Sequence, residues 1–127
     1  MTAGTRILFV AGAGALGAVA RYLVGVGALR VNPDGALGTL LVNLIGCFCF
    51  GIVSQIEPEG SWLSPSLRLM ILTGFLGAFT TFSAYSYDTL HLYQTRGMPA
   101  AVAYVLVQNV AGIGLAALGV ALGRGLH

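Results

Sequence analysis

The chain has 127 residues, of which 57% are hydrophobic and 8% charged, and its mean hydropathy is +0.88. A soluble domain carries about 25% charged residues, so water is excluded as the main solvent and lipid takes its place. The net charge is +2, with no lysine and six arginines scattered at 6, 21, 30, 68, 96 and 124. That spacing leaves no basic cluster for nucleic acid.

A helix crosses a bilayer in about 20 residues, and four segments of this length follow one another. The first runs over 7–29 and is interrupted only by Arg21. It holds two misleading patterns. "GAGALG" (12–17) matches a dinucleotide fingerprint, but that fingerprint needs a strand before it and a helix start within it. Inside a long apolar helix the small residues instead let a neighbouring helix come close. Arg6, the apolar run and "AVA" (18–20) resemble a signal peptide, yet "RYLVGVGAL" continues the pattern, so the segment is expected to be retained as a span.

The second span covers 35–56 and carries no charge. Cys47 and Cys49 lie two apart, on different helix faces, and read as free thiols packed as small apolar residues. The third span covers 69–93 and the fourth 97–123. Between the spans lie "RVNPDG" (30–35), "EPEGSWLSPS" (57–66) and "QTRGMP" (94–99), each with the proline and glycine that stop helices. Tyr22, Trp62 and Tyr93 sit near predicted ends, where interfacial aromatics belong. The fold class is therefore an all-α integral membrane protein, one domain of four transmembrane helices.

With four spans, Arg6, Arg68 and Arg124 fall on one side and Arg30 and Arg96 on the other. Orientation follows the excess of basic residues in cytoplasmic loops. Three against two is almost no excess. A chain so balanced can insert both ways and pair as a dual-topology antiparallel dimer. Four short helices leave little room for an aqueous path, which places that path at a dimer interface.

Polar side chains at membrane depth serve packing or a transported species. The second span has Thr39 and Asn43, four apart and on one face. The third has Thr73, Thr80, Thr81, Ser83, Tyr85 and Ser86. The fourth has Tyr104 and Gln108, four apart, and then Asn109. Arg21 is the one charge well inside a span, and Asp88 lies at an edge. Proton and cation paths rely on carboxylates, whereas this set consists of neutral donors and one arginine. Aromatic ring edges are partly positive, and Phe82 and Tyr85 lie three apart beside Phe75 and Phe79. The pattern suits an anion, although hydroxyls that merely bond the preceding carbonyl would read the same way singly.

"GFLGAFTT" (74–81) has two readings. A helix break there would free carbonyls such as those of Gly77 and Thr80 for a cation. A continuous helix would use the glycines for close contact.

These residues resemble the Fluc (CrcB) fluoride ion channel family of bacteria over nearly the whole chain. "GALGAVARY" (14–22), "GTLLVNLIGCFCFG" (38–51), "GFLGAFTTFSAYSYD" (74–88) and "YVLVQNVAG" (104–112) are similar to its span motifs. The resemblance implies a third helix broken near its middle and a passive, fluoride-selective channel in the bacterial inner membrane. It implies an antiparallel dimer with two pores that lets fluoride leave the cell, and no enzymatic reaction. It makes Asn43 a pore donor and Phe82 part of a ring-edge fluoride box. Thr39, Ser83, Tyr104 and Gln108 become polar lining, and Arg21 draws the anion toward a vestibule. It assigns the backbone carbonyls of Gly77 and Thr80 to a structural sodium (Na+) shared by both subunits and not transported.

The family pattern is not fully kept. Ala84 stands for a usual threonine, Tyr85 for the second box phenylalanine, and Gln108 for a smaller hydroxyl residue. Tyr85 keeps the ring and adds a hydroxyl able to donate. Some relatives work only as pairs of unlike subunits, so the alternative to a homodimer is a partner-dependent subunit of a heterodimer. A proton-coupled small multidrug exporter would also be short and four-helical, but it needs a first-span glutamate, and no acidic residue lies between Met1 and Leu29.

Overall fold

The computed structural model describes residues 2–56 and 63–125. The expectations for Trp62 and most of the 57–66 loop lie outside the described residues. All regular structure among the described residues is helical, and four helical stretches are long and apolar enough to cross a membrane.

Helix α1 spans Ala3–Leu29 and α2 spans Ala36–Gln55. The third span is segmented. It begins with α3 (Pro65–Leu69), passes through a π-helical stretch (Met70–Leu76) into α4 (Gly77–Phe79), breaks, and resumes as α5 (Phe82–Arg96). Helix α6 spans Met98–Arg124.

The first span starts at Ala3 rather than 7, and two further boundaries differ from the sequence expectation in ways that local residues explain. The third span starts at Pro65 rather than 69, because Ser64 Oγ accepts the Leu67 N–H and proline occupies the first turn. Proline suits that position, where its missing N–H would have no helical partner. The 94–99 break shrinks to Gly97 alone. Its φ of 84° reverses the chain directly from α5 into α6, a conformation open to glycine at little cost.

Small residues set how close the helices come. A Cβ on Gly17 of α1 would overlap the Phe75 carbonyl oxygen, and one on Gly74 would come within 2.7 Å of Ala13 Cβ. The "GAGALG" run is thus a seat for the π-helical stretch. On α6, a Cβ on Gly119 would collide with the Phe48 carbonyl, and one on Gly123 would lie 2.7 Å from the Ile52 carbonyl. Backbones that approach this closely gain the van der Waals contact and interhelical bonding that hold membrane helices together.

One apolar cluster holds Val42, Leu76 and Phe79. The other holds Ala36, Leu92 and Tyr104. At one end of the bundle, Arg68 Nη2 donates to the Ser54 carbonyl at 2.7 Å and Arg124 Nε to Gln55 Oε1 at 3.3 Å. At the other end, Arg96 pairs with Asp34. Arg68 and Arg124 therefore lie at one end and Arg96 at the other, as four alternating spans require. Many large apolar side chains face outward, Ile7, Leu8, Leu23 and Ile113 among them, which is the normal state of a helix bundle whose solvent is lipid.

Candidate functional site

The third span is interrupted at Thr80 and Thr81. Thr80 has φ −82° and ψ 159°, and Thr81 has φ −152° and ψ 120°, so two extended residues separate the helical halves. An interruption at membrane depth must satisfy its freed backbone groups inside the protein. Thr80 N–H still reaches the Leu76 carbonyl at 3.1 Å, and its hydroxyl donates to the same carbonyl at 3.0 Å. Thr81 Oγ1 caps the new helix by accepting the Ala84 N–H at 3.2 Å.

Asn43 of α2 supplies the remaining partners. Its Oδ1 accepts the Thr81 N–H at 2.8 Å, and its Nδ2 donates to the Thr81 carbonyl at 3.1 Å. A side-chain amide here does what an adjacent β-strand would do. One turn on, Gly46 makes the space: a Cβ there would overlap Thr80 Cγ2. The local logic of "VNLIG" is thus an amide to pair the break and a hydrogen to seat it.

The Thr81 N–H also sets the direction of a longer chain of hydrogen bonds. Because it donates, the Asn43 atom facing it is the oxygen, and the nitrogen is left to face Thr81 O and Gln108. The Asn43 Nδ2 to Gln108 Oε1 distance is 3.5 Å. Gln108 Nε2 then donates to the Tyr104 hydroxyl at 3.1 Å. That hydroxyl keeps its own proton for the Ala36 carbonyl at 3.2 Å or Asp88 Oδ2 at 3.4 Å. Gln108 is only 9% exposed, so both of its bonds matter: a buried polar group left without a partner costs about 1–3 kcal/mol.

A groove of about 490 Å³ opens beside the break. Of the residues singled out in the sequence, Asn43, Thr80, Phe82, Tyr85 and Gln108 line it together. Its wall also includes Asn109, Cys47, Phe50 and Ser54, and among the described residues it has no carboxylate and no arginine. Phe82 and Tyr85 have ring centroids 5.6 Å apart at 56°, and Tyr85 and Tyr104 have centroids 5.8 Å apart. Phe82 is 78% exposed, so the groove is walled on one side only.

Other singled-out residues lie elsewhere. Arg21 and Thr39 line a smaller cavity of about 190 Å³ with Thr81 and Ala84, across the break from the groove. Tyr104 is buried and borders a third cavity near Asp34 and Arg96. Ser83 is exposed, with its Oγ 3.2 Å from Thr81 Oγ1. Gly77, also exposed, lies three residues before Thr80 at the end of the first helical half. No cluster of three or more His, Cys, Asp or Glu side chains suited to a metal occurs among the described residues.

Two features escaped the sequence reading. The pairing of Asn43 with the Thr81 peptide has no signal in side-chain chemistry, because backbone geometry creates it. Asn109 stood in the polar inventory without a role; its Nδ2 donates to the Tyr85 hydroxyl at 3.0 Å.

Residues 8–120 match the family described as "CrcB-like protein, Camphor Resistance (CrcB)". The chain belongs to the CrcB family. Among curated relatives, the fluoride-specific ion channel FluC of Rhizobium etli is 43% identical over 124 residues, covering 95% of this chain and 98% of the relative. The FluC of Agrobacterium fabrum is 40% identical over 122 residues, with the same coverage. That of Maridesulfovibrio salexigens is 39% identical over 120 residues, or 94% of this chain and 95% of the relative. The CrcB match takes in all four spans, the break and the groove.

Proposed function

We propose that this chain forms a fluoride-selective channel that lets fluoride leave the cell passively, across the inner membrane of a bacterium. The observation that carries this reading is the groove, where amides, hydroxyls and aromatic edges converge without a carboxylate among the described residues. A small, strongly hydrated anion needs donors to replace its water. A cation would meet too few acceptors there. Curated relatives across the chain's whole length bear the name fluoride-specific ion channel.

The groove is open along the exposed face of Phe82, so one copy makes half a pathway. A second copy in the opposite orientation closes it, and the near-balance of arginines at the two ends permits both insertions. Such a dimer carries two equivalent grooves. The broken third spans then meet at the shared axis. There Gly77 and Thr80 would offer backbone carbonyls from the C-terminal end of a half-helix, a setting that suits a cation. Two carbonyls per copy suit a sodium ion held between two copies, where it would lock the breaks together.

A second reading is favoured by one observation. The amide nitrogens of Asn43, Gln108 and Asn109 each already donate within the protein, and Gln108 fills a position where the family has a smaller side chain. A subunit so arranged would conduct only beside an unlike partner whose wall is open.

Fluoride-loaded liposomes containing the purified protein test the first reading. A fluoride electrode should record release on addition of a potassium ionophore, and chloride-loaded vesicles should release nothing comparable. Silence from this protein alone, and release on co-reconstitution with a similar chain, would establish the second reading. Silence in both would remove the two together.

A further inference from the structure

The hydrogen-bond directions around the groove leave the Tyr85 hydroxyl proton uncommitted. Asn109 Nδ2 lies 2.8 Å from the Val105 carbonyl and 3.0 Å from the Tyr85 hydroxyl oxygen. A carbonyl oxygen only accepts, so the Asn109 atom between these partners is the nitrogen and not the amide oxygen. Both of its hydrogens are then committed, one to each neighbour. Tyr85 is consequently an acceptor in this contact, and the proton on its hydroxyl is not used by it.

The contrast with the neighbouring tyrosine sharpens the point. Tyr104 also accepts from an amide, that of Gln108, but its proton has the Ala36 carbonyl and Asp88 within reach. Asn43 Nδ2 donates to the Thr81 carbonyl and faces Gln108 Oε1, and Gln108 Nε2 donates to Tyr104. Tyr85 and Asn109 both line the groove. The Tyr85 ring is held between Phe82 and Tyr104 at centroid distances of 5.6 and 5.8 Å, so the hydroxyl is placed by packing as well as by Asn109.

We propose that Asn109 and Tyr85 form a built hydrogen-bond donor for the transported anion. Tyr85 donates its O–H to the ion in the groove, and Asn109 is a positioning residue that occupies the hydroxyl's lone pair and turns its proton outward. The inference rests on the fluoride reading and adds to it the group that sets affinity at this point of the path. A phenylalanine at 85 would present only its ring edge. An O–H bond to an anion is charge-assisted and roughly twice as strong as a neutral one. The tyrosine therefore holds the ion more tightly and releases it more slowly.

Initial fluoride release is measured from liposomes over a range of internal fluoride, for the wild type, Tyr85→Phe, Asn109→Ala and the double variant. Tyr85→Phe should raise the half-saturating fluoride concentration about tenfold, with the maximal rate preserved or increased. Asn109→Ala should raise it about threefold in the wild-type background and leave it unchanged in the Tyr85→Phe background, since its effect runs through the hydroxyl. An unchanged half-saturation in Tyr85→Phe overturns the inference, and that variant decides even if Asn109→Ala fails to assemble. Equal effects of Asn109→Ala in both backgrounds overturn the positioning role. If the wild type itself releases no fluoride, the functional reading falls and this inference with it. Release by the wild type with an indifferent Tyr85→Phe sinks the inference alone.

Discussion

The side chain of Asn43 and the backbone of Thr81 pair in both directions, N–H to Oδ1 at 2.8 Å and Nδ2 to carbonyl at 3.1 Å. One amide thereby satisfies the two backbone groups that a broken membrane helix exposes. Without it the break would leave an N–H and a C=O without partners in a low-dielectric interior, and the span would gain by closing into a continuous helix. The break and the asparagine are one device, and the groove exists because of it.

Asn43→Ala should therefore destabilise the protein by about 2–6 kcal/mol, from two orphaned backbone groups at about 1–3 kcal/mol each. Asn43→Asp keeps the acceptor for the Thr81 N–H and should cost less stability, yet it places a carboxylate in an anion path and should suppress fluoride release. Thermal unfolding in detergent, read beside the flux assay, separates the two effects. Equal stability of Asn43→Ala and wild type would show that the pairing is incidental.

Gly46 and Thr80 are coupled by shape. Gly46→Ala drives a Cβ into Thr80 Cγ2 and should cost about 1–3 kcal/mol, the usual range for overpacking. Adding Thr80→Ser removes that methyl and should restore most of the loss. Melting temperatures of the two singles and the double supply the check; strictly additive losses would place the strain elsewhere.

Gly17 is a harder case, because its contact is the carbonyl oxygen of Phe75 and not a movable side-chain tip. Gly17→Ala should shift α1 away from the π-helical stretch and lower stability by about 2 kcal/mol or more. Gly12→Ala, five residues earlier and with nothing within 4 Å of its Cβ, should be neutral within about 0.5 kcal/mol. Comparable melting shifts for the two would contradict this packing.

Asp34→Asn breaks the ion pair with Arg96, whose side chains are 31% and 56% exposed. Exposed pairs contribute about 0–1 kcal/mol, and salt screens what remains. Melting should move by no more than a degree or two in 0.5 M salt. A large loss would mean that this pair anchors the turn between α1 and α2.

The four spans were legible because lipid demands long apolar runs, and apolar runs can be counted. The break was legible as one of two options. "GFLGAFTT" holds both the glycines that allow a kink and the glycines that allow close packing, and the structure uses Gly74 for packing and Thr80–Thr81 for the break. The π-helical stretch over Met70–Leu76 had no signal, since π and α turns share the same residue preferences. Asn43 was visible as a polar residue at depth, but its bond to the Thr81 backbone was not, because no side chain marks where a peptide turns. Gly97 alone closing the last turn was hidden by the polar residues around it: Gln94, Thr95 and Arg96 look like a loop and are the end of α5.

If fluoride passes through the groove beside the Asn43–Thr81 pair, Cys47 can block it where it stands. Its thiol lines that groove, while Cys49 packs against the Val42, Leu76 and Phe79 cluster. In a Cys49→Ala background, fluoride release is recorded before and after a methanethiosulfonate adduct on Cys47, with mass spectrometry establishing full modification. Release should stop with the adduct and continue when Cys47 is also alanine. A fully modified protein that releases fluoride at its original rate would contradict it.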